Sequence, residues 1–340
     1  MTLPALKVDG ADPGPEYGLV SVVVPSYNHA HFLAEAIESA MDQAYPAVEI
    51  IVVNDGSIDG TADVAARYPA VRYVASENQG LAAARNLGLA QCRGEFVVFL
   101  DADDRLIAGA IPTGARLLRG NPSLGFTAGY SRFISRDGVP QPTTQPLRAG
   151  DDAYVALLRR NSIRNPAMVM FRRHIVEAAG AFASGVDACA DYDMYLRISR
   201  DHPVAFHDAV VADYRKHGEN MSSDSARMLR ELLHTMRRQR PYLTNRIRRQ
   251  AWREGVRNIR DYYGDALAWR IRRRIRKRSE WRRVLQDVVA LMRCHPRGAL
   301  VHAQRRMATW WRGRRPRGEP AGRTSHAYSG RVGPGDGSRL

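Results

Sequence analysis

Lysine and cysteine are nearly missing from this chain of 340 residues. Of its 51 basic residues only Lys7, Lys216 and Lys277 are lysine, an Arg bias that speaks of coding composition as much as of function. The three cysteines, Cys92, Cys189 and Cys294, are far apart, odd in number and in no paired metal-ligand spacing. That favours neither a disulfide framework nor a zinc site, and points to reduced thiols of the cytosolic kind. Long apolar runs are also lacking. No segment approaches the ~20 apolar residues of a membrane span, and "MTLPALKVDGADPGPEYG" has no apolar stretch behind a basic start, so the expected location is the cytoplasm. No internal repeat is visible.

What is present is divided unevenly. Residues 1–221 hold 20 Lys+Arg against 26 Asp+Glu, a balance of −6, whereas residues 222–340 hold 31 against 9, a balance of +22. All the excess positive charge of the chain, +16 in total, therefore lies in its last third. Length and a 44% apolar content predict one large domain with an appendage. The expected division is a leader at 1–18, a principal domain at 19–222, a basic helical extension at 223–312 and a disordered Gly/Pro/Arg/Ser tail at 313–340.

"LVSVVVP" at Leu19–Pro25 reads as a strand covered on both faces. "HAHFLAEAIESAMDQA" then spaces Phe32, Leu33, Ala36, Ile37, Ala40, Met41 and Ala44 as the buried face of a helix. Strands at Val48–Ser57, Val71–Ser76 and Glu95–Leu100 alternate with helices at Thr61–Tyr68 and Gly80–Cys92. The pattern predicts an α/β fold with a mostly parallel, Rossmann-like sheet flanked by helices, binding ligands at the carboxyl ends of its strands.

The polar clusters fall at those ends: "PSYN" after the first strand, "NDGS" after the second and "DADD" after the fourth. Asp101, Asp103 and Asp104 crowd three carboxylates into four positions, which raises their mutual repulsion unless a cation lies among them. A hard divalent ion such as Mg²⁺ or Mn²⁺ suits an Asp-x-Asp pair. Acidic residues after strands are equally ordinary turn formers and caps, so the cluster alone leaves both readings open.

The succession "VSVVVPSYN", "EIIVVNDGSIDGT", "NQGLAAARNLGLAQCRGEFVVFLDADD" and "ADYDMYLRIS" resembles the family 2 glycosyltransferases of GT-A fold, over roughly residues 19–222. The resemblance implies an inverting, metal-dependent hexosyltransferase. Such an enzyme moves a sugar from a nucleotide-diphosphate donor to a hydroxyl of a glycan or lipid-linked acceptor, in cell-surface polysaccharide or glycoconjugate synthesis. Carried over position by position, Pro25, Tyr27 and Asn28 line the nucleotide pocket, and Asp55 hydrogen-bonds the base. Gly80, Arg85 and Asn86 close over the nucleotide. Asp101 lies near the ribose and the metal's waters, and Asp103 is the direct metal ligand. Asp104 either assists the ion indirectly or caps the next turn. Asp191 takes the place of the general base, with Asp193 as runner-up or as a structural partner for an Arg such as Arg197. Ala190 departs from the family's Glu-Asp pattern, which puts the setting of that base in doubt. His217, in "YRKHGENMSS", is a third metal ligand or a surface histidine.

Two alternatives belong beside this reading. A nucleotidyltransferase of similar fold would need a Gly-rich, Lys/Arg-bearing cradle for a triphosphate after the first strand, and none is there. A catalytically inactive relative that binds nucleotides or glycans is favoured by Ala190 alone. The basic segment at 267–292, with nine Lys+Arg between Arg270 and Arg283 and interspersed Leu267, Trp269, Ile271, Ile275, Trp281, Leu285, Val288, Val289 and Met292, reads as a helix lying on an anionic membrane surface. Nucleic acid is the weaker reading of the same charge, since no recognised DNA- or RNA-binding motif accompanies it.

Overall fold

The structure is a computed structural model and describes residues 16–143, 152–185, 187–218, 220–276 and 280–296. The expected tail at 313–340, and most of the expected leader, lie outside the described residues.

In chain order the elements are β1 (Glu16–Ser26), α1 (Ala30–Met41), β2 (Val48–Asp55), α2 (Thr61–Ala66), β3 (Val71–Ser76), α3 (Leu81–Leu89), β4 (Gly94–Phe99), β5 (Arg105–Leu106) and α4 (Ala110–Gly120). They continue with β6 (Phe126–Ile134), α5 (Ala153–Arg159), β7 (Val169–Arg172), α6 (Arg173–Ala178), α7 (Ala190–Asp201), β8 (Val204–Arg215), α8 (Ser225–Arg238), α9 (Arg246–Arg276) and α10 (Trp281–Cys294). The strands form one sheet in the order β3-β2-β1-β4-β7-β6-β8-β5.

The sheet has two characters. β3, β2, β1 and β4 run parallel, with Val22 opposite Ile50 and Val98, and Val52 opposite Tyr73. Beyond β4 the pairs β4/β7, β7/β6 and β8/β5 are antiparallel, with Val98 opposite Met170, Thr127 opposite Met170, and Arg105 opposite Asp213. Val20, Val22, Val23, Val24, Ile51, Val52, Val53, Phe96 and Phe99 are all fully buried. Helices cover both faces of a parallel sheet, so its strands are apolar without alternation.

α1 buries Phe32, Leu33, Ala36, Ile37 and Ala40, as its spacing predicts. Met41 and Ala44, expected on the same face, are exposed. The helix stops at Met41, and the chain turns so that Gln43 is buried instead. The Gln43 amide donates to the carbonyls of Ser39 (3.0 Å) and Ile107 (3.1 Å) and accepts from Ile111 N (3.1 Å). A polar residue thus ties helix to loop where the periodicity called for carbon. α3 lies close on the sheet because Gly88 has no side chain: a Cβ there would overlap Val23 Cγ1.

The chain divides into two compact units. The first comprises residues up to Tyr130, Asn165–Asp187 and Arg197–Tyr214, and the second Ser131–Arg164, Ala188–Leu196 and the residues from Arg215 on. The second unit is mainly helical. Within it Tyr154, Leu157 and Leu158 of α5, Tyr192 of α7, and Leu229 and Met236 of α8 are buried. Tyr154 donates to Gln239 Oε1 (3.1 Å), Tyr192 to the Leu157 carbonyl (2.8 Å) and the Trp252 indole to the Met236 carbonyl (2.6 Å). Gly255 of α9 admits the Leu158 carbonyl so closely that a Cβ would collide with it. Among the described residues, no helix is long and apolar enough to cross a membrane.

Candidate active site

In the first unit the loops after β1 and β2 are laced together by short polar side chains. Asn28 N donates to Ser57 Oγ (3.0 Å), and Asn28 Oδ1 accepts from Ile58 N (3.0 Å), with Asn28 itself at φ 57°. Asn and Asp tolerate this left-handed region better than other side-chain-bearing residues. Asn54 Oδ1 accepts from Ser57 N (2.8 Å) and its amide donates to Tyr73 Oη (2.8 Å). Tyr27 is left half-exposed beside this lacing, at 48% accessibility, while Pro25 is buried in the strand.

Asp55, at the end of β2, is buried and accepts from two consecutive amides, Gln79 N at 2.8 Å and Gly80 N at 3.0 Å. Its carboxylate therefore holds the entry to α3. Gly80 sits at φ 93°, and a Cβ on it would come within 3.2 Å of Asp187 Oδ2. Asp187 also accepts from Ala82 N at 3.4 Å. Two carboxylates thus accept from the amides that lead into α3 and from its Ala82 amide, at the end where the helix dipole favours negative charge.

Arg85 of α3 is buried, lies 5.4 Å over the Phe182 ring and donates from Nη2 to Asp101 Oδ1 at 2.7 Å. Asp101 keeps 27% of its side chain exposed against 3% for Arg85, so the pair presents its carboxylate outward. Asn86, one residue on, uses both ends of its amide on the Phe182 backbone, at 2.9 Å each way. Its side chain acts as a clamp on that segment.

The three aspartates after β4 face different ways. Asp104 N donates to the Asp101 carbonyl at 2.9 Å, which closes the turn. The Asp104 carboxylate points inward, fully buried, and accepts from Asn165 Nδ2 at 2.8 Å. Asp103 is mostly buried. Asn165, Phe182 and Asp187 were not legible as site residues, because each reaches its partner across some 60 to 105 intervening residues.

Asp191 and His217 belong to the second unit. Asp191 stands in the first turn of α7, its Oδ1 accepting from Tyr192 N at 2.7 Å, and Ala190 beside it is fully buried. Asp193, two residues on, is fully buried and faces Arg238 at 3.6 Å, while Arg197 donates to the carbonyls of Ala179 and Ala181. His217 N donates to Asn220 Oδ1 at 2.6 Å. Among the described residues no three His, Cys, Asp or Glu side chains converge as a ready metal cage. Asp101 and Asp103 do fit a hard cation that takes one or two carboxylates and completes its shell with waters and substrate oxygens.

Residues 21–180 match the sequence profile of Glycosyl transferase family 2. Escherichia coli chondroitin synthase is 28% identical over 210 residues, covering 60% of this chain and 30% of its own length. The chain spans 30% to 35% of the length of the first curated relatives it matches. Among solved structures, residues 1–349 of S. aureus TarS in complex with UDP-GlcNAc superpose with a TM-score of 0.57 at 18% identity, covering 70% of this chain and 71% of that one. The Pyrobaculum calidifontis mannosyltransferase PcManGT, in complex with GDP-Man and Mn²⁺, gives 0.55 at 21% identity, covering 88% and 90%. Over residues 21–180 the chain is thus similar in sequence to Glycosyl transferase family 2, and it shares its fold with these two transferases.

Proposed function

We propose that this chain is an inverting, metal-dependent glycosyltransferase that moves a sugar from a nucleotide-diphosphate sugar to a hydroxyl of a glycan or lipid-linked acceptor, in polysaccharide or glycoconjugate synthesis. The observation that carries the reading is the outward-facing Asp101 carboxylate held on Arg85 beside Asp103, at the carboxyl end of β4, the same edge of the parallel sheet at which β1 and β2 end in the Asn28–Ser57 lacing and Asp55. Open α/β sheets bind ligands at that edge. The chondroitin synthase relative supports a polysaccharide product, and the UDP-GlcNAc and GDP-Man complexes support a nucleotide-sugar donor.

In this reading Tyr27, Asn28 and Asp55 receive the nucleoside, and Arg85 fixes Asp101 toward the ribose. Asp103, with Asp101, holds Mg²⁺ or Mn²⁺, and the PcManGT complex supports such an ion. Bound by these carboxylates, such an ion would supply Lewis-acid stabilisation of the negative charge on a departing diphosphate. Asp191 takes the proton of the attacking hydroxyl, as a general base must lie within hydrogen-bond reach of it. His217 serves the metal or the diphosphate. The catalytic residues lie within 19–222, the basic sequence extends over 223–312, and the setting is the cytoplasmic face of a membrane.

Calorimetric titration with UDP, GDP and dTDP, with and without Mn²⁺, tests the donor site. One nucleotide should bind in a metal-dependent way, and Asp103→Asn should abolish the metal dependence. Asp191→Asn should bind that nucleotide normally yet lose donor turnover by at least a hundredfold, in the range typical of a lost general base. Absence of nucleotide binding under every condition would overturn the reading.

A further inference from the structure

The 267–292 segment is two helices, and its apolar residues part company. Leu267 and Ile271 of α9 are buried, as are Val284 and Leu291 of α10. Trp281, Leu285, Val288, Val289 and Met292 are instead exposed, at 57%, 66%, 37%, 40% and 51% accessibility. At about 100° per residue these five fall within an arc of about 100°, a continuous apolar stripe turned to solvent.

The charges around the stripe are one-sided. The only acid in α10, Asp287, is on the inward face, buried, and bound by Arg270 (2.7 and 3.0 Å) and Arg274 (2.6 Å). Arg282 and Arg293 are exposed along one edge of the stripe. Trp269 of α9 is also exposed, at 59%, with the Arg273 guanidinium 5.4 Å over its ring.

We infer that this face of α10 lies on an anionic lipid bilayer, with the apolar stripe in the acyl boundary and the arginines at the headgroups. The pairing of an apolar arc with flanking cations and a tryptophan is what an interfacial helix requires. A second copy of the chain fits poorly, because a two-fold contact of the stripe with itself brings arginine edges together with no outward acid in α10 to offset them. Nucleic acid would use the arginines and leave the stripe uncovered. The inference does not rest on the transferase reading.

Sedimentation of the full chain with phosphatidylglycerol/phosphatidylcholine vesicles, and with phosphatidylcholine alone, tests it without any nucleotide. Wild type should bind the anionic vesicles more tightly. Leu285→Gln with Val289→Gln should weaken that binding at least tenfold while leaving the thermal melt unchanged, both side chains being exposed in the fold. Arg282→Gln with Arg293→Gln should reduce the preference for anionic vesicles about fivefold per charge. Equal binding by wild type and the Leu285/Val289 variant would overturn the assignment. So would a lipid-free dimer that the same pair dissociates, or a Trp281 ring shielded from acrylamide quenching in lipid-free protein, read as the difference from Trp281→Phe.

Discussion

Asp104 shows how much a single partner decides. Three acids in four positions were legible as a cation seat, but the sequence could not divide them, because the residue that turns Asp104 inward is Asn165, 61 positions away. With Asn165→Ala the buried carboxylate loses its amide donor, a loss of about 1–3 kcal/mol. Chemical denaturation should show a lower midpoint at unchanged slope, and Asn165→Asp should be worse because it opposes two buried carboxylates. The thiols make a second prediction at this scale. Burial pushes Cys92 up to about 12 and also raises Cys189. Between the ordinary thiol value and the raised one the unfolded chain binds fewer protons than the folded one, so stability falls as pH rises through that window. Each thiol should contribute up to about 1.4 kcal/mol per pH unit there, and Cys92→Ala should flatten the alkaline limb of a stability-versus-pH curve.

The elements differ in how plainly the sequence announced them. β1, β2 and β4 are continuous apolar runs because they are covered on both faces, and β3 matches its expected bounds of Val71–Ser76. β5 has two residues, and its pairing to β8 joins positions some 108 apart, beyond what local pattern can carry. α1 ended earlier than its periodicity because Gln43 found three backbone partners. α3 depends on a feature with no hydropathy signal, the missing side chain of Gly88. Gly88→Ala should push the helix off Val23 and Val53 and destabilise the fold by about 1–3 kcal/mol, read as a lowered unfolding midpoint. Since α3 carries Arg85, the same variant should weaken nucleotide binding without touching a ligand-facing group.

Across the whole chain, the shift to arginine beyond Ser222 does not mark off a separate piece of structure. α8, α9 and α10 share the second unit with residues 131–164 and 188–196, and Tyr154, Leu157 and Leu158 are buried there. A chain cut after residue 222 loses the Gln239 partner of Tyr154 and the α9 surface against Leu158. It should therefore be recovered mainly as aggregate, measured as the soluble fraction on expression beside the full chain. The order of synthesis gives this arrangement a temporal side. The last residue of the first unit, Tyr214, is added to the growing chain before any of α8 or α9 exists. At about 5–20 residues per second the apolar side of α5 waits roughly 5–20 seconds for the part of α9 that covers it. In that interval the nascent chain is a natural client for a chaperone that recognises exposed hydrophobic segments.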